Sequence, residues 1–120
     1  MSQTEADDFT LRQIQDILIV HIDVENLLDL VEVSRIGNSL TALAAADPPR
    51  HIVLDMSKVR YAGSAALGMW LSLVKLLQKR TRRLILTGTQ PIDSLLKISR
   101  TRAVFEVSSD VESAISLLKK

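Results

Sequence analysis

Three short runs rich in apolar and β-branched residues punctuate the chain: ILIVHIDV at residues 17–24, HIVLD at 51–55 and LILT at 84–87. The segments between them carry helical periodicity. After residue 34, Ile36, Leu40, Leu43 and Ala44 share one face, until Asp47-Pro48-Pro49 stops the helix, since proline lacks an N–H and restricts the residue before it. A second helix is predicted from Ser64 to about Arg80. A third opens at Pro91, which suits a first helical position, with Ile92, Leu95 and Leu96 on one side. Strands that alternate with helices imply a mostly parallel sheet joined by right-handed crossovers. Unbroken apolar runs such as 51–55 are those expected where both faces of the sheet are covered.

The flanks extend this frame. Phe9 and Leu11 alternate with Thr10 and Arg12, a weaker first strand separated from the next by little more than Gln15-Asp16. An antiparallel hairpin is the economical reading. A last strand is expected at residues 104–107. Ser109, with Glu112 three residues later, reads as a capping box for a final helix that aligns Val111, Ala114, Ile115 and Leu118. Residues 25–33 fit neither period. The expected order is β-β-α-β-α-β-α-β-α, a single α/β domain over residues 9–120 with about four helices, behind a flexible tail at 1–8.

At 120 residues the chain holds one domain with a real core. A net charge of +1 offers no electrostatic reason to expect nucleic acid or an anionic membrane, and no apolar run approaches the ~20 residues needed to span one. With no cysteine, thiolate chemistry and disulfides are excluded. The polar, acidic start MSQTEADDF is unlike a secretory signal, which points to the cytoplasm.

The stretch 52–68, IVLDMSKVRYAGSAALG, carries the functional signal. A strand ends at Asp55, a polar connection follows, and Gly63-Ser64 opens a helix. At a helix start the unpaired N–H groups and the dipole favour negative charge, so a phosphate on a serine there is stabilised locally and changes the charge of the surface around it. Serine is also a preferred N-cap. If Ser64 is one, its replacement by alanine costs about 0.5–2 kcal/mol. At 100° per residue, Ser64, Gly68, Ser72, Lys75 and Lys79 fall within roughly 80° of one another. The remaining apolar arc, about 240° wide, exceeds the stripe needed to cover a sheet. Trp70 lies near its middle and should be buried. Neighbouring helices are expected to cover Leu67 and Leu71, while Ala65, Met69 and Leu76 border the serine face and are candidates for a partner-binding patch with Gly63, Ser64 and Gly68.

Other chemistry finds little support. Asp55 at a strand end suggests a phosphoryl-accepting aspartate, but Asp7 and Asp8 precede a strand instead of following one, and Asp55 is better read as a turn former. His21 and His51 have no spaced companions, so neither a metal site nor a nucleophile–base pair is expected. Lys79, Arg80, Arg82 and Arg83 fit a helix C-terminus, where cations complement the dipole. No Gly-rich phosphate loop or hydrolase elbow is present. No enzyme, metal or cofactor is anticipated.

The pattern at 52–68, with ILTGTQPIDSLLKIS and the late FEV before a final helix, resembles the STAS domain family of anti-sigma factor antagonists and sulphate-transporter C-terminal domains. Its pattern of a strand ending in Asp, a connection, and Asp-Ser-Ser/Ala-Gly-Leu-Gly becomes Ala62-Gly63-Ser64-Ala65-Ala66-Leu67-Gly68 here. The resemblance implies a non-catalytic regulator in which Ser64 is phosphorylated by a partner serine kinase. The unphosphorylated form would bind a kinase-like anti-sigma factor, and a serine phosphatase would restore that form. Gly63 stands where the family usually has an acid. The alternative implied is a STAS subunit or scaffold of a membrane transport or signalling complex with no phospho-switch. Neither reading involves nucleic acid or direct membrane insertion.

Overall fold

The computed structural model describes residues 8–99 and 103–119. Strands β1 (Phe9–Ile14) and β2 (Ile17–Ile22) form the expected hairpin around Gln15-Asp16, with Gln15 in the left-handed region (φ 54°). The short β3 (Asn26–Leu27) leads into helix α1 (Leu30–Ala45). Strand β4 (His51–Asp55), the short β5 (Tyr61–Ala62) and helix α2 (Ser64–Lys79) follow. Strand β6 (Leu84–Thr87) is joined by a 3₁₀ turn (Gln90–Ile92) to α3 (Asp93–Ile98), and β7 (Glu106–Ser108) and α4 (Val111–Leu118) complete the domain.

Five strands form one sheet in the order β1-β2-β4-β6-β7, parallel except for the β1–β2 hairpin. Alternate residues divide its interior in two. Leu18, Val20, Ile52, Leu54, Leu84 and Leu86 face the larger core with α1, α2 and α3. Ile17, Ile19, Val53 and Ile85 face Ala114 and Ile115 of α4. The central strands are therefore buried on both sides, which is why they carry no polar alternation. Trp70 is fully buried, as its place on the arc predicts, and meets Phe105 edge-on at 6.2 Å between ring centroids.

Three boundaries differ from expectation. Helix α1 begins at Leu30, about four residues earlier than Ser34, because the Asp29 carboxylate accepts the backbone N–H groups of Val31 and Glu32 at 2.8 and 3.4 Å. The last strand is shifted, running from Glu106 to Ser108. The cap of α4 is Asp110, which accepts the Ser113 N–H at 2.8 Å, so Ser109 and Glu112 form no capping box. Most of the expected tail, residues 1–7, lies outside the described residues. Asp8 is buried, and both its carboxylate oxygens receive the Arg35 guanidinium.

Arg80, Arg82 and Arg83 serve their neighbours more than their own helix. Arg80 Nη1 donates to the Ala44 and Ala46 carbonyls at 3.0 and 2.7 Å and closes the end of α1, whose last turn holds no basic residue. Arg82 donates to Pro49 O at 3.3 Å, and Arg83 pairs with Glu106.

Candidate functional site

Helices α1 and α2 lie side by side and run in the same direction. Leu28 stands over Gly63 at their beginnings, Met69 lies against Gly37 midway, and Arg80 meets Ala44 at their ends. Both helices therefore start at the same end of the sheet, where its parallel strands finish.

The connection from Asp55 to Ser64 is held at several points. Asp55 Oδ1 accepts the Ser57 N–H at 3.0 Å, the turn role expected of it. Met56 and Val59 are fully buried, and the Met56 N–H reaches Thr87 O at 2.9 Å. Gly88, at φ +66°, comes so close to Ser57 that a Cβ would lie 2.7 Å from its nitrogen, so only glycine fits there. Farther along, Arg60 and Tyr61 both donate backbone N–H groups to Glu25 O, and β5 pairs in parallel with β3. This small second sheet brings residues 25–31 against the start of α2.

At that start Gly63 is the N-cap. Its carbonyl accepts the Leu67 N–H at 3.2 Å, and no side chain caps the helix. Ser64 is the first helical residue and is not the cap that its residue type suggested. The hydroxyl belongs to an exposed side chain, one turn before exposed Gly68. Lys75 and Lys79 continue the exposed face as expected. Leu67 is buried and Leu71 half-buried against the main core. Ala65, Met69 and Leu76 are also half-buried and pack against that core, Met69 on Gly37. Of the six residues expected to meet a partner, Ser64 and Gly68 are thus the open ones, with Gly63, Ala65, Met69 and Leu76 at their margin.

Three residues that periodicity did not single out extend this face. Leu28, Leu30 and Tyr61 are 53%, 67% and 54% exposed. Leu28 also lines a surface hollow of about 610 Å³ with Val24, Glu25, Asn26, Asp29 and Glu32. For Leu28 and Leu30 the signal was the very ambiguity of residues 25–33: the apolar residues there fit no buried face because several of them are not buried. Large exposed apolar residues placed together mark interaction surfaces more than chance.

On the opposite face of the sheet lies a polar row. His21 is not isolated, as the sequence suggested, because cross-strand register places it beside Asp55, with Nδ1 and Oδ2 2.7 Å apart. Burial works to raise the Asp55 pKa, but hydrogen bonds from His21 and Ser57 outweigh it and hold the carboxyl below its ordinary value. Thr10, above all, and Lys58 likewise lower the pKa of Asp23 against the effect of burial. His51 also has companions. Its Nδ1 accepts the Arg83 N–H at 3.0 Å, and its pKa is lowered, chiefly by burial. Among the described residues no group of three or more His, Cys, Asp or Glu is placed to hold a metal ion. Nor is any helix among them long and apolar enough to cross a membrane.

Comparison with known proteins agrees with this architecture. The STAS domain model matches residues 8–114. No curated protein matches the sequence. An anti-sigma factor antagonist (STAS) domain protein from Planctomyces limnophilus superposes with a TM-score of 0.81 at 15% identity, covering 94% of this chain and 98% of its own. An anti-sigma factor antagonist from Mycobacterium paratuberculosis gives 0.77 at 18% identity, covering 98% and 100%. The anti-sigma factor antagonist SpoIIAA in its unphosphorylated form gives 0.71 at 17% identity, covering 92% and 97%. The family match spans nearly the whole domain, and the five-stranded sheet and four helices are those of these structures: the chain belongs to the STAS domain family.

Proposed function

We propose that the protein is a non-catalytic regulator, an anti-sigma factor antagonist of the cytoplasm that binds a kinase-like anti-sigma factor and is switched by phosphorylation of Ser64. The observation that carries this reading is an exposed serine at an uncapped helix start, with the exposed apolar side chains of Leu28 and Tyr61 next to it. The contact face comprises Gly63, Ser64, Ala65, Gly68, Met69 and Leu76, extended by Leu28, Leu30 and Tyr61. With Ser64 unmodified, the face is small, neutral and apolar at its centre and can be desolvated cheaply. A phosphate there adds close to two negative charges that any apolar partner surface would have to bury. The free N–H groups of the first turn stabilise that phosphate in the unbound protein, which favours release. A serine phosphatase then restores the binding form. The resolved neighbour described in an unphosphorylated form supports the analogy.

A second reading, a STAS subunit of a transport or signalling complex without a switch, draws on Gly63. A Cβ at this position would meet Leu28 Cδ2 at 3.2 Å, so the acid usual in the family would press on Leu28. Titrating the purified kinase-like partner with serine and authentic phosphoserine forms separates the two. The regulator requires much weaker binding of the phosphoserine form. Equal, tight binding of both would remove the switch and leave the scaffold.

A further inference from the structure

The sheet has two unlike edges. Strand β7 is three residues long, whereas β1 presents six with no strand beyond it among the described residues. The Asp23 N–H donates to Asp8 O at 2.8 Å, which makes Asp8–Asp23 a hydrogen-bonded pair of the hairpin. Alternation along an antiparallel ladder makes Thr10–His21, Arg12–Ile19 and Ile14–Ile17 the other such pairs. The N–H and C=O groups of Phe9, Leu11 and Gln13 therefore point away from β2, toward the open edge. Leu11, in the middle of this row, is a large apolar residue 44% exposed. Edges of this kind are templates for a further strand.

We propose that the strand which fits this edge is β1 of a second copy, paired antiparallel about a two-fold axis at Leu11, so that two five-stranded sheets become one of ten. In that register Phe9 faces Gln13 of the other copy and Leu11 faces Leu11. All three outward residues of each strand then exchange backbone hydrogen bonds, as an isologous interface requires. Arg12 falls opposite Thr10 of the other copy, and no like charges are directly apposed. The Thr10 hydroxyl donates to Asp23 Oδ2 at 2.7 Å, so each Arg12 guanidinium arrives beside an Asp23 carboxylate, twice per dimer. The other charged and titratable groups of that pocket are His21, Asp55 and Lys58. His21 and Asp55 are bonded to each other, and Lys58 holds the remaining Asp23 oxygen at 3.2 Å. A register centred on Arg12 would instead oppose two arginines and set Phe9 against the turn residue Gln15, so that only Leu11 and Gln13 of each strand exchange backbone hydrogen bonds. The Ser64 face lies where the β4–β5 connection enters α2, two strands in from this edge, so self-association does not rest on the switch.

Amide hydrogen exchange and sedimentation velocity on the full chain test this directly. Between low micromolar and several hundred micromolar protein, the sedimenting species should change from monomer to dimer. Over the same range the Leu11 and Gln13 amides should slow by about ten-fold or more, while Thr10 and Arg12, already bonded within the hairpin, stay constant. Leu11→Lys and Arg12→Glu, both at exposed positions, should each weaken the dimer about ten-fold, the first by opposing two lysines, the second by setting glutamate against Asp23. A chain that stays monomeric throughout overturns the proposal. So does a dimer that forms while the Leu11 and Gln13 amides exchange as before, since it must use another face. Protection of those amides only when another protein is added would show that the edge serves a foreign strand.

Discussion

Helices α1 and α2 are each 16 residues long, start at the same end of the sheet and pack along each other, but their beginnings are finished differently. The start of α1 is closed by the Asp29 carboxylate, which takes up two first-turn N–H groups. The start of α2 follows Gly63, which has no side chain to offer, and its first residue is Ser64. One end of the pair is built for stability. The other keeps donors free at the surface beside a hydroxyl, which costs cap energy and is useful only if something else occupies the place. This contrast is the physical core of the switch reading, and each experiment below acts on one side of it.

The largest effect should come from filling the open start with its proposed occupant. Phosphorylating Ser64 is expected to weaken binding of the kinase-like partner by about 2–4 kcal/mol, roughly 30- to 900-fold, because the charge must be desolvated at an apolar contact. Calorimetric titration of both forms measures it. Loss of binding by an unmodified Ser64→Ala protein would count against the idea, since alanine keeps the surface small and neutral.

Next comes the stability contrast itself. Removing the closed cap with Asp29→Ala should destabilise the domain by about 1 kcal/mol, within a range of roughly 0.5–2. Ser64→Ala removes no cap and should change stability by no more than about 0.3 kcal/mol, since alanine is itself a strong helix former. Urea unfolding of the two variants compares them directly. Equal losses would mean that the Ser64 hydroxyl closes its helix after all.

How far the sequence revealed this contrast differs between its halves. The five strands of the main sheet, the helices and the position of Ser64 were legible because apolar runs and 3.6-residue periodicity respond to burial, and burial dominates there; the two-residue β3 and β5 were not, being too short to show a period. Trp70 was placed in the core by the same argument. The start of α1 was not legible. Asp29 is one acid in an acidic stretch, and Leu30 and Val31 disturb the period because they face outward. The cap identity at α2 was misjudged by one residue, since Gly63 and Ser64 are both acceptable caps and only the backbone decides between them. His21 and Asp55 are 34 residues apart and meet only through the β2–β4 register, which a single sequence does not display.

Gly68 should give a smaller effect of unusual sign. It sits inside α2, where glycine costs about 0.5–1 kcal/mol relative to alanine, and a Cβ built there meets nothing within 4 Å. Nothing among the described residues requires the glycine. Gly68→Ala should therefore stabilise the free domain by about that amount while weakening partner binding, because it raises the surface one turn from Ser64. Thermal unfolding and titration of the same protein test both signs. Stabilisation with undiminished affinity would take Gly68 out of the contact face.

The smallest net effect is expected from closing the open start in the way α1 is closed. In Gly63→Asp the new carboxylate can accept first-turn N–H groups as Asp29 does, but aspartate exceeds glycine as a cap by only a few tenths of a kcal/mol. Against this, its Cβ would approach Leu28 Cδ2 at 3.2 Å, and Leu28 must shift. Leu28 is half-exposed and flexible, so the displacement costs a similar few tenths and the two contributions should nearly cancel. A cycle with Leu28→Ala separates them. In the Leu28→Ala background the opposing contact is gone, and Gly63→Asp should stabilise by about 0.3–0.5 kcal/mol. Absence of any coupling between the two positions would show that Leu28 does not constrain residue 63. The missing acid would then have no steric origin, and the open start of α2 would depend on the glycine alone.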